Sequence, residues 1–331
     1  MDRSPAAPAR PFSIVDWNVY LGADILRLVD GVYPGPIAVR AAELWSMVAA
    51  TDFARRAGFL AARLAELAPV AITLQEVFAW SARPAGGPAV EVDHLAILAH
   101  ELARRGVGYR AFRTRGFTCE VPMAGGSLAM TDSLVTLVRD DVDVVGHTGR
   151  PYHAAHEVTI GGRTVRALRC WSVVELAAPW PRIVNTHLEF APGTQPAQAA
   201  ELLALVDGLP GPLVLAGDFN LDAAADPGGP GGASGSPELD LHGALRRRGF
   251  TDAWDPPRGR GATATQDEDL THLDSRLSTR IDWVLARGAG AWSRVHLLGA
   301  AVDDRRALGL WPSDHAGITA VLASAPGGQP S

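Results

Sequence analysis

The sequence predicts an α/β fold, and three observations carry that expectation. Short β-rich apolar runs recur from end to end, each too short for a helix. Segments with apolar residues at helical spacing stand between them. The 331 residues, 47% of them apolar, suffice for one large α/β domain or two small ones.

Taken in order, Phe12 to Trp17 reads as a first strand, with Asn18 at its end. The Gly/Pro-punctuated stretch from Tyr20 to about Gly35 reads as a long loop. Helices are expected over Ala38 to Ala50 and Thr51 to Leu67, with Thr51 placed to cap the second. Val70 to Leu74 reads as a buried strand that finishes on Gln75-Glu76. Val92 to Arg105 reads as a helix closed by Gly106. Leu134 to Val138 and Val142 to Val145 read as paired strands with Arg139-Asp140-Asp141 between them. Val165 to Glu175 and Arg182 to Thr186 are further strand regions, the latter delivering His187. A helix from Gly193 to Leu209 runs into the apolar strand Pro212 to Ala216. Glu238 to Arg248 reads as a helix, Gly249 and Asp252-Ala253-Trp254 as a loop, and Ile281 to Leu285 as a strand. Ser313-Asp314-His315 then precedes a last strand, Ala316 to Leu322. The Gly/Ala/Pro-rich stretch 222–237 reads as a flexible surface loop, because strand–helix alternation resumes beyond it. A single domain over 12–323 is expected, with flexible ends at 1–11 and 324–331.

Composition narrows the function classes. The net charge is −6 and no dense basic run stands out, whereas nucleic-acid binders usually carry a basic face. Arg246-Arg247-Arg248 is the longest basic run, and it falls where a helix end would welcome positive charge. No lysine occurs anywhere, which excludes Schiff-base chemistry and a Walker-type phosphate loop. Two cysteines, Cys119 and Cys170, argue against a disulfide scaffold or a cysteine zinc site and leave one bridge open. The N-terminus lacks the apolar core of a signal peptide, and no apolar run is long enough to span a bilayer. A soluble cytoplasmic monomer, with no stable membrane association and no evident protein partner, is the expectation.

The chemistry gathers around Leu215-Ala216-Gly217-Asp218-Phe219-Asn220, where a buried strand breaks into a loop. Gly217 is read as permitting the turn. Asp218 and Asn220 alternate, so on an extended backbone they point the same way. Asn18, Glu76, His187, Asp282, and Asp314 with His315 stand at other strand ends. Each has a plainer explanation, as a turn residue, a cap or a core histidine. Asp282, inside an apolar run, demands a partner if buried. Together they are the residue types of metal-assisted hydrolysis, each where a strand stops. A carboxylate, an amide oxygen and several waters suit magnesium. Such an ion offsets charge on a phosphate ester under attack by water.

At these residues the chain resembles the endonuclease/exonuclease/phosphatase superfamily. The matching stretches are Trp17-Asn18, Leu74-Gln75-Glu76, Asn185-Thr186-His187-Leu188, Gly217-Asp218-Phe219-Asn220, Arg280-Ile281-Asp282 and Ser313-Asp314-His315, in the family's order. The resemblance implies a four-layer αββα sandwich of two packed mixed sheets flanked by helices, with the active site at one end. It implies that Asn18, Glu76 and Asp314 hold Mg2+, or Mn2+ in its place. It implies that Asp218 orients or deprotonates water beside Asn220, that His187 and His315 contact the phosphate, and that Asp282 pairs with His315.

Three departures stand out. Tyr20 occupies a place where several nucleases of the family carry an acid. The region Met123 to Val138 has no tyrosine, though Asp132 and Ser133 fall about where some members place one. The extra loop and helix Leu21 to Trp45 are positioned to roof the site and shape substrate choice. The expected activity is a phosphodiesterase. A DNA or RNA nuclease, in which Arg110, Arg113 and Arg115 bind phosphate, is an alternative, as is a small-molecule or lipid phosphatase. Trp171, Trp180, Trp254, Trp283 and Trp311 are read as core more than as an amphipathic-substrate surface. A binding module that has lost catalysis is less favoured, because Glu76, Asp218 and His315 are all present.

Overall fold

The computed structural model describes residues 11–223, 240–254 and 259–323. The expected flexible termini and Gly/Pro-rich loop lie outside these residues, apart from 11, 222 and 223. In the first half, β1 (Phe12–Asn18) leads through a single 3-10 turn (Ile25–Leu28) to helices α1 (Ile37–Ala50) and α2 (Phe53–Leu67). Then come β2 (Ala71–Gln75), β3 (Ala79–Pro84), β4 (Val90–Asp93), α3 (His94–Arg104), β5 (Tyr109–Met123), β6 (Gly126–Arg139) and β7 (Val144–Pro151). A hairpin follows, β8 (His156–Ile160) with β9 (Arg163–Ala167), then β10 (Cys170–Leu176), β11 (Arg182–His187), α4 (Gln195–Gly208) and β12 (Leu213–Asp218). The chain ends with α5 (Leu241–Arg247), β13 (Thr251–Asp252), β14 (Asp282–Arg287), β15 (Trp292–Leu298), α6 (Val302–Leu308) and β16 (Gly317–Leu322).

These strands make two large mixed sheets. The first runs β15-β16-β1-β2-β6-β3-β4, with β5 also on β6; the second runs β13-β14-β12-β11-β10-β7. β1 and β2 are parallel, as are β11 and β12, and the other pairs are antiparallel. The inner faces meet through Ile14, Val138 and Ile318 on one side and Val174, Val214 and Val284 on the other, all buried. Strands buried on both faces read as continuous apolar runs, which is why β2 and β12 are legible. Helices α2 and α3 cover the first sheet through Leu60, Leu64 and Leu98. Helices α4 and α5 cover the second through Leu202, Val206 and Leu245. The expected layers of helix, sheet, sheet and helix are present.

Several local expectations are corrected. Thr51 closes α1, while Asp52 caps α2 by accepting from the backbone N–H of Arg55. A carboxylate is the better acceptor for an exposed helix start. The strands around Arg139-Asp140-Asp141 do not pair with each other. β6 stays in the first sheet and β7 crosses to the second, pairing β10. Val165 to Glu175 divides into β9 and β10, and the expected loop at Asp252 contains the short strand β13. The residues before His94 form β4 instead of the start of α3. Cys119 and Cys170 are free thiols. Trp171, Trp283 and Trp311 are core, as read, while Trp180 and Trp254 are half-buried.

Candidate active site

Strand register assembles the polar end of the two sheets. On β11, β12 and β14, His187 stands opposite Asp218 and Asp218 opposite Asp282, so one rung carries three of the singled-out residues. In the other sheet Asn18 stands opposite Gln75, which sets Glu76 just past the strand end. Asn18 joins the sheets by donating from Nδ2 to Asp218 Oδ2 at 3.0 Å. His315 arrives on the loop before β16, which is tied to β1. Trp17 Nε1 donates to the His315 carbonyl at 3.1 Å, and the Ser313 hydroxyl donates to the Asn18 carbonyl at 2.7 Å. All the sequence-selected residues therefore converge at one end.

Asp218 is the hub. Its Oδ1 accepts the Asn220 backbone N–H at 2.9 Å, and its Oδ2 lies 3.4 Å from His187 Nε2 and 3.9 Å from His315 Nε2. Burial, then the Asp282 charge, pushes its carboxyl up to about 7, against His315 and Asn18. His315 Nδ1 is 2.9 Å from Asp282 Oδ2. Burial works to lower the His315 pKa, but Asp282, Asp314 and Asp218 outweigh it and hold the imidazole well above its usual range. His187 goes the other way, held well below that range by burial, Arg169 and His315. The two histidines shift in opposite directions because burial, with Arg169 adding, prevails at His187, whereas three carboxylates overcome burial at His315.

Arg169 was not singled out from the sequence. Its Nη1 lies 3.2 Å from His187 Nδ1. The His187 Nε2 lies 3.3 Å from the Asn220 carboxamide nitrogen and 3.4 Å from Asp218 Oδ2, so Arg169 and Asn220 hold the ring from both sides. Arg56 was missed as well. Fully buried, it donates to the carbonyls of Thr51, Val19, Pro312 and Tyr20, lashing the loop after β1 to the loop before β16. Between the sheets, Gln75 Nε2 donates to Asp16 Oδ1 and Asn185 Oδ1, each at 2.9 Å. Burial, with Asp282 adding, holds the Asp16 carboxyl well above the usual range.

The backbone is bent hard at three of these strand ends. Tyr20, Glu76 and Asn220 have φ of +60°, +55° and +51°. Non-glycine residues adopt such angles at a cost of about 1 kcal/mol or more each, and they concentrate at functional sites. Gly217 serves a different purpose from the one expected. It lies inside β12, where an added Cβ would sit 2.0 Å from the Thr186 carbonyl oxygen. Close approach of β11 and a φ of +150° both require glycine here, though no turn occurs.

The oxygen donors fit a hard divalent cation. Glu76 Oε2 accepts the Leu21 N–H at 2.9 Å and Asn18 Oδ1 accepts the Tyr20 N–H at 3.0 Å, leaving lone pairs on both groups. Burial pushes the Asp314 carboxyl up to about 6, with His315 opposing and the Glu76 charge adding. A cation between Glu76 and Asp314 would relieve that repulsion. Asp218, Asp282 and His315 form the one cluster of three acidic, histidine or cysteine ligand atoms within 4.8 Å of one another among the described residues. There His315 already spans the two carboxylates, and a protonated imidazole cannot ligate. Tyr20 adds no charge. Its hydroxyl donates to the Glu268 carbonyl at 2.8 Å and is kept neutral by burial, Asp314 and Glu76. Of the arginines considered for phosphate, Arg110 donates to the Val142 carbonyl and Arg113 pairs with Asp93.

The profile of the Endonuclease/Exonuclease/phosphatase family matches residues 17–315. An endonuclease/exonuclease/phosphatase from Beutenbergia cavernae superposes with a TM-score of 0.58 at 22% identity, over 96% of this chain and 72% of its own. TDP2 from D. rerio, solved with a single-strand DNA product, gives 0.52 at 18% identity, over 94% of this chain and 98% of its own. A family protein from Leptotrichia buccalis gives 0.54 at 12%, over 93% and 98%. At these identities the likeness is one of fold. No curated protein sequence matches. No helix among the described residues is long and apolar enough to cross a membrane.

Proposed function

This chain belongs to the endonuclease/exonuclease/phosphatase family, and on that premise we propose that it is a divalent-metal-dependent phosphodiesterase. The observation that carries the reading is the shared rung His187–Asp218–Asp282 with His315 bridging the two carboxylates. Asn18, Glu76 and Asp314 would hold magnesium, or manganese in its place. When bound, the ion offsets charge on the phosphoryl oxygens and the leaving oxygen.

Asp218, whose carboxyl sits near 7, orients the attacking water and takes its proton. The water oxygen bonds to phosphorus, the ester P–O bond breaks, and the leaving alcohol takes a proton from solvent. His315, held protonated between Asp282 and Asp218, donates to a phosphoryl oxygen as charge builds there. His187 stands beside the phosphoryl group, its ring fixed by Arg169 and Asn220. Asn220 donates to the Leu188 carbonyl at 2.9 Å and keeps the loop after Asp218 in place.

A nuclease is the second reading, favoured by the DNA product in the D. rerio TDP2 structure. Against it stand the net charge of −6 and the internal partners of Arg110 and Arg113. Hydrolysis of bis-p-nitrophenyl phosphate and p-nitrophenyl phosphate, side by side with magnesium, manganese and chelator, tests the proposal. Metal-dependent diester cleavage is expected. Monoester cleavage alone would make the protein a monoesterase, and no turnover in any metal would overturn the reading.

A further inference from the structure

A cavity of about 250 Å³ opens beside the polar end. Ile25, Leu26 and Val29, from the segment after β1, line it with Val158 and Ile160 of β8, the two segments meeting at a bridge between Val29 and Ile160. Phe78 and Phe117 also line it. The volume exceeds the roughly 150 Å³ that holds benzene in an engineered apolar cavity. It is a built space. Arg40 pairs with Asp30 at 2.7 Å, and Asp30 accepts the Gly162 N–H at 2.8 Å, clamping one wall to the β8–β9 hairpin. The Asp30 N–H donates to the Thr159 carbonyl at 2.8 Å in the same seam.

The cavity borders the proposed catalytic end through shared residues. Arg169 lines it while touching His187, and Leu21 lines it while donating its N–H to Glu76. Asp132 lines both this cavity and the small cleft that holds Glu76 and His187. Leu26, Val32 and Phe190 stand at the rim with 41%, 50% and 45% of their surface exposed. Large apolar side chains left in water around a concave apolar space mark a binding site for apolar matter.

We infer that the cavity holds the apolar chain of the substrate, so that the protein hydrolyses a phosphate ester carrying an alkyl or acyl substituent. The inference rests on the phosphoesterase reading. Arg169 marks the boundary, with the phosphate on its His187 side and the chain on its Phe117 side. The same chemistry occurs in a membrane lipid headgroup region and in a free amphiphile.

Calorimetry with methylphosphonate and hexylphosphonate on the metal-loaded protein tests this without turnover. Each fully buried methylene is worth roughly fourfold in affinity, so hexylphosphonate is expected to bind at least about tenfold tighter. Leu26→Asp, at the exposed rim, and Val158→Asp, in the wall, are expected to shrink that ratio. Leu26→Asp keeps the test usable if Val158→Asp fails to fold. Equal binding of the two phosphonates, or a ratio unmoved in Leu26→Asp, overturns the inference. Co-sedimentation with phosphatidylcholine vesicles assigns the chain to a lipid surface; hexylphosphonate binding without sedimentation assigns it to a soluble amphiphile. Failure of p-nitrophenyl ester hydrolysis with the chain preference intact would instead sink the catalytic reading alone.

Discussion

At the polar end, Asn18, His187, Asp218 and Asp282 stand on paired strands, and backbone register sets their spacing. In the cavity beside it, Leu26 and Val158 come from segments far apart in the chain, held together by the Gly162 N–H on Asp30, the Asp30 N–H on Thr159 and a bridge between Val29 and Ile160. The first region is fixed by two continuous sheets, the second by a seam at the molecule's edge. On the proposal above, the two sheets fix the chemistry, and the segment after β1 with the β8–β9 hairpin shapes what it acts on. General acid–base groups gain from rigid placement, whereas an apolar wall needs only volume and contact.

The sharpest way to break this division is Asp218→Asn. Loss of a general base costs about a thousandfold or more in turnover, with the circular dichroism spectrum unchanged. Full activity in that variant would remove the polar end from the chemistry. Arg56→Met comes next. It strips a donor from the carbonyls of Thr51, Val19, Pro312 and Tyr20. Orphaned buried acceptors cost about 1–3 kcal/mol each, so urea denaturation should show at least about 3 kcal/mol less stability. No change would mean that other donors fill in. Asp282→Asn should cost about a hundredfold in rate. The Asp282 charge raises both Asp218 and His315, so both limbs of the pH–rate profile should move to lower pH. An unmoved profile would contradict the electrostatic roles.

A pH-dependent effect lies beneath the Glu76 strand end, whose backbone the His94 side chain faces. His94 is buried, stacked on Phe53 at 3.7 Å, and held well below its usual value by burial and then Arg56. The folded state therefore keeps it neutral while the unfolded chain takes up a proton below about pH 6.5. Stability should fall with pH below that point, by up to about 1.4 kcal/mol per unit. Denaturation of His94→Phe across pH 4–7 checks it: the variant should lose that part of the slope.

Much of the polar end was legible because strands buried on both faces leave apolar runs, and such runs end visibly on Asn18, Glu76, His187 and Asp218. Asp282 was legible as a charge inside an apolar stretch. Arg169 and Arg56 were not, since a lone arginine on a strand border or a helix looks like a solvated one until its partners are known. The partners of Arg56 include Pro312, hundreds of residues away in sequence. The two strands flanking Arg139-Asp140-Asp141 were misread as a hairpin because propensity carries no information on which sheet a strand joins. Gly217 was recognised as a backbone position only glycine takes, which its φ of +150° bears out, but the close approach of β11 left no local mark. The extra segment after Leu21 was noticed by its length, but its apolar wall appears only once Val158 and Ile160 close the space.

The central claim is that the polar end is a metal-dependent phosphodiester-cleaving centre. Its most direct test is to strip the protein with chelator and titrate magnesium back while following bis-p-nitrophenyl phosphate hydrolysis, for the wild type and Glu76→Ala. The account predicts saturable activation of the wild type, abolished by chelator, and activation lost or shifted to much higher magnesium in Glu76→Ala. Hydrolysis that survives stripping, or a Glu76→Ala curve that overlays the wild type, would contradict it.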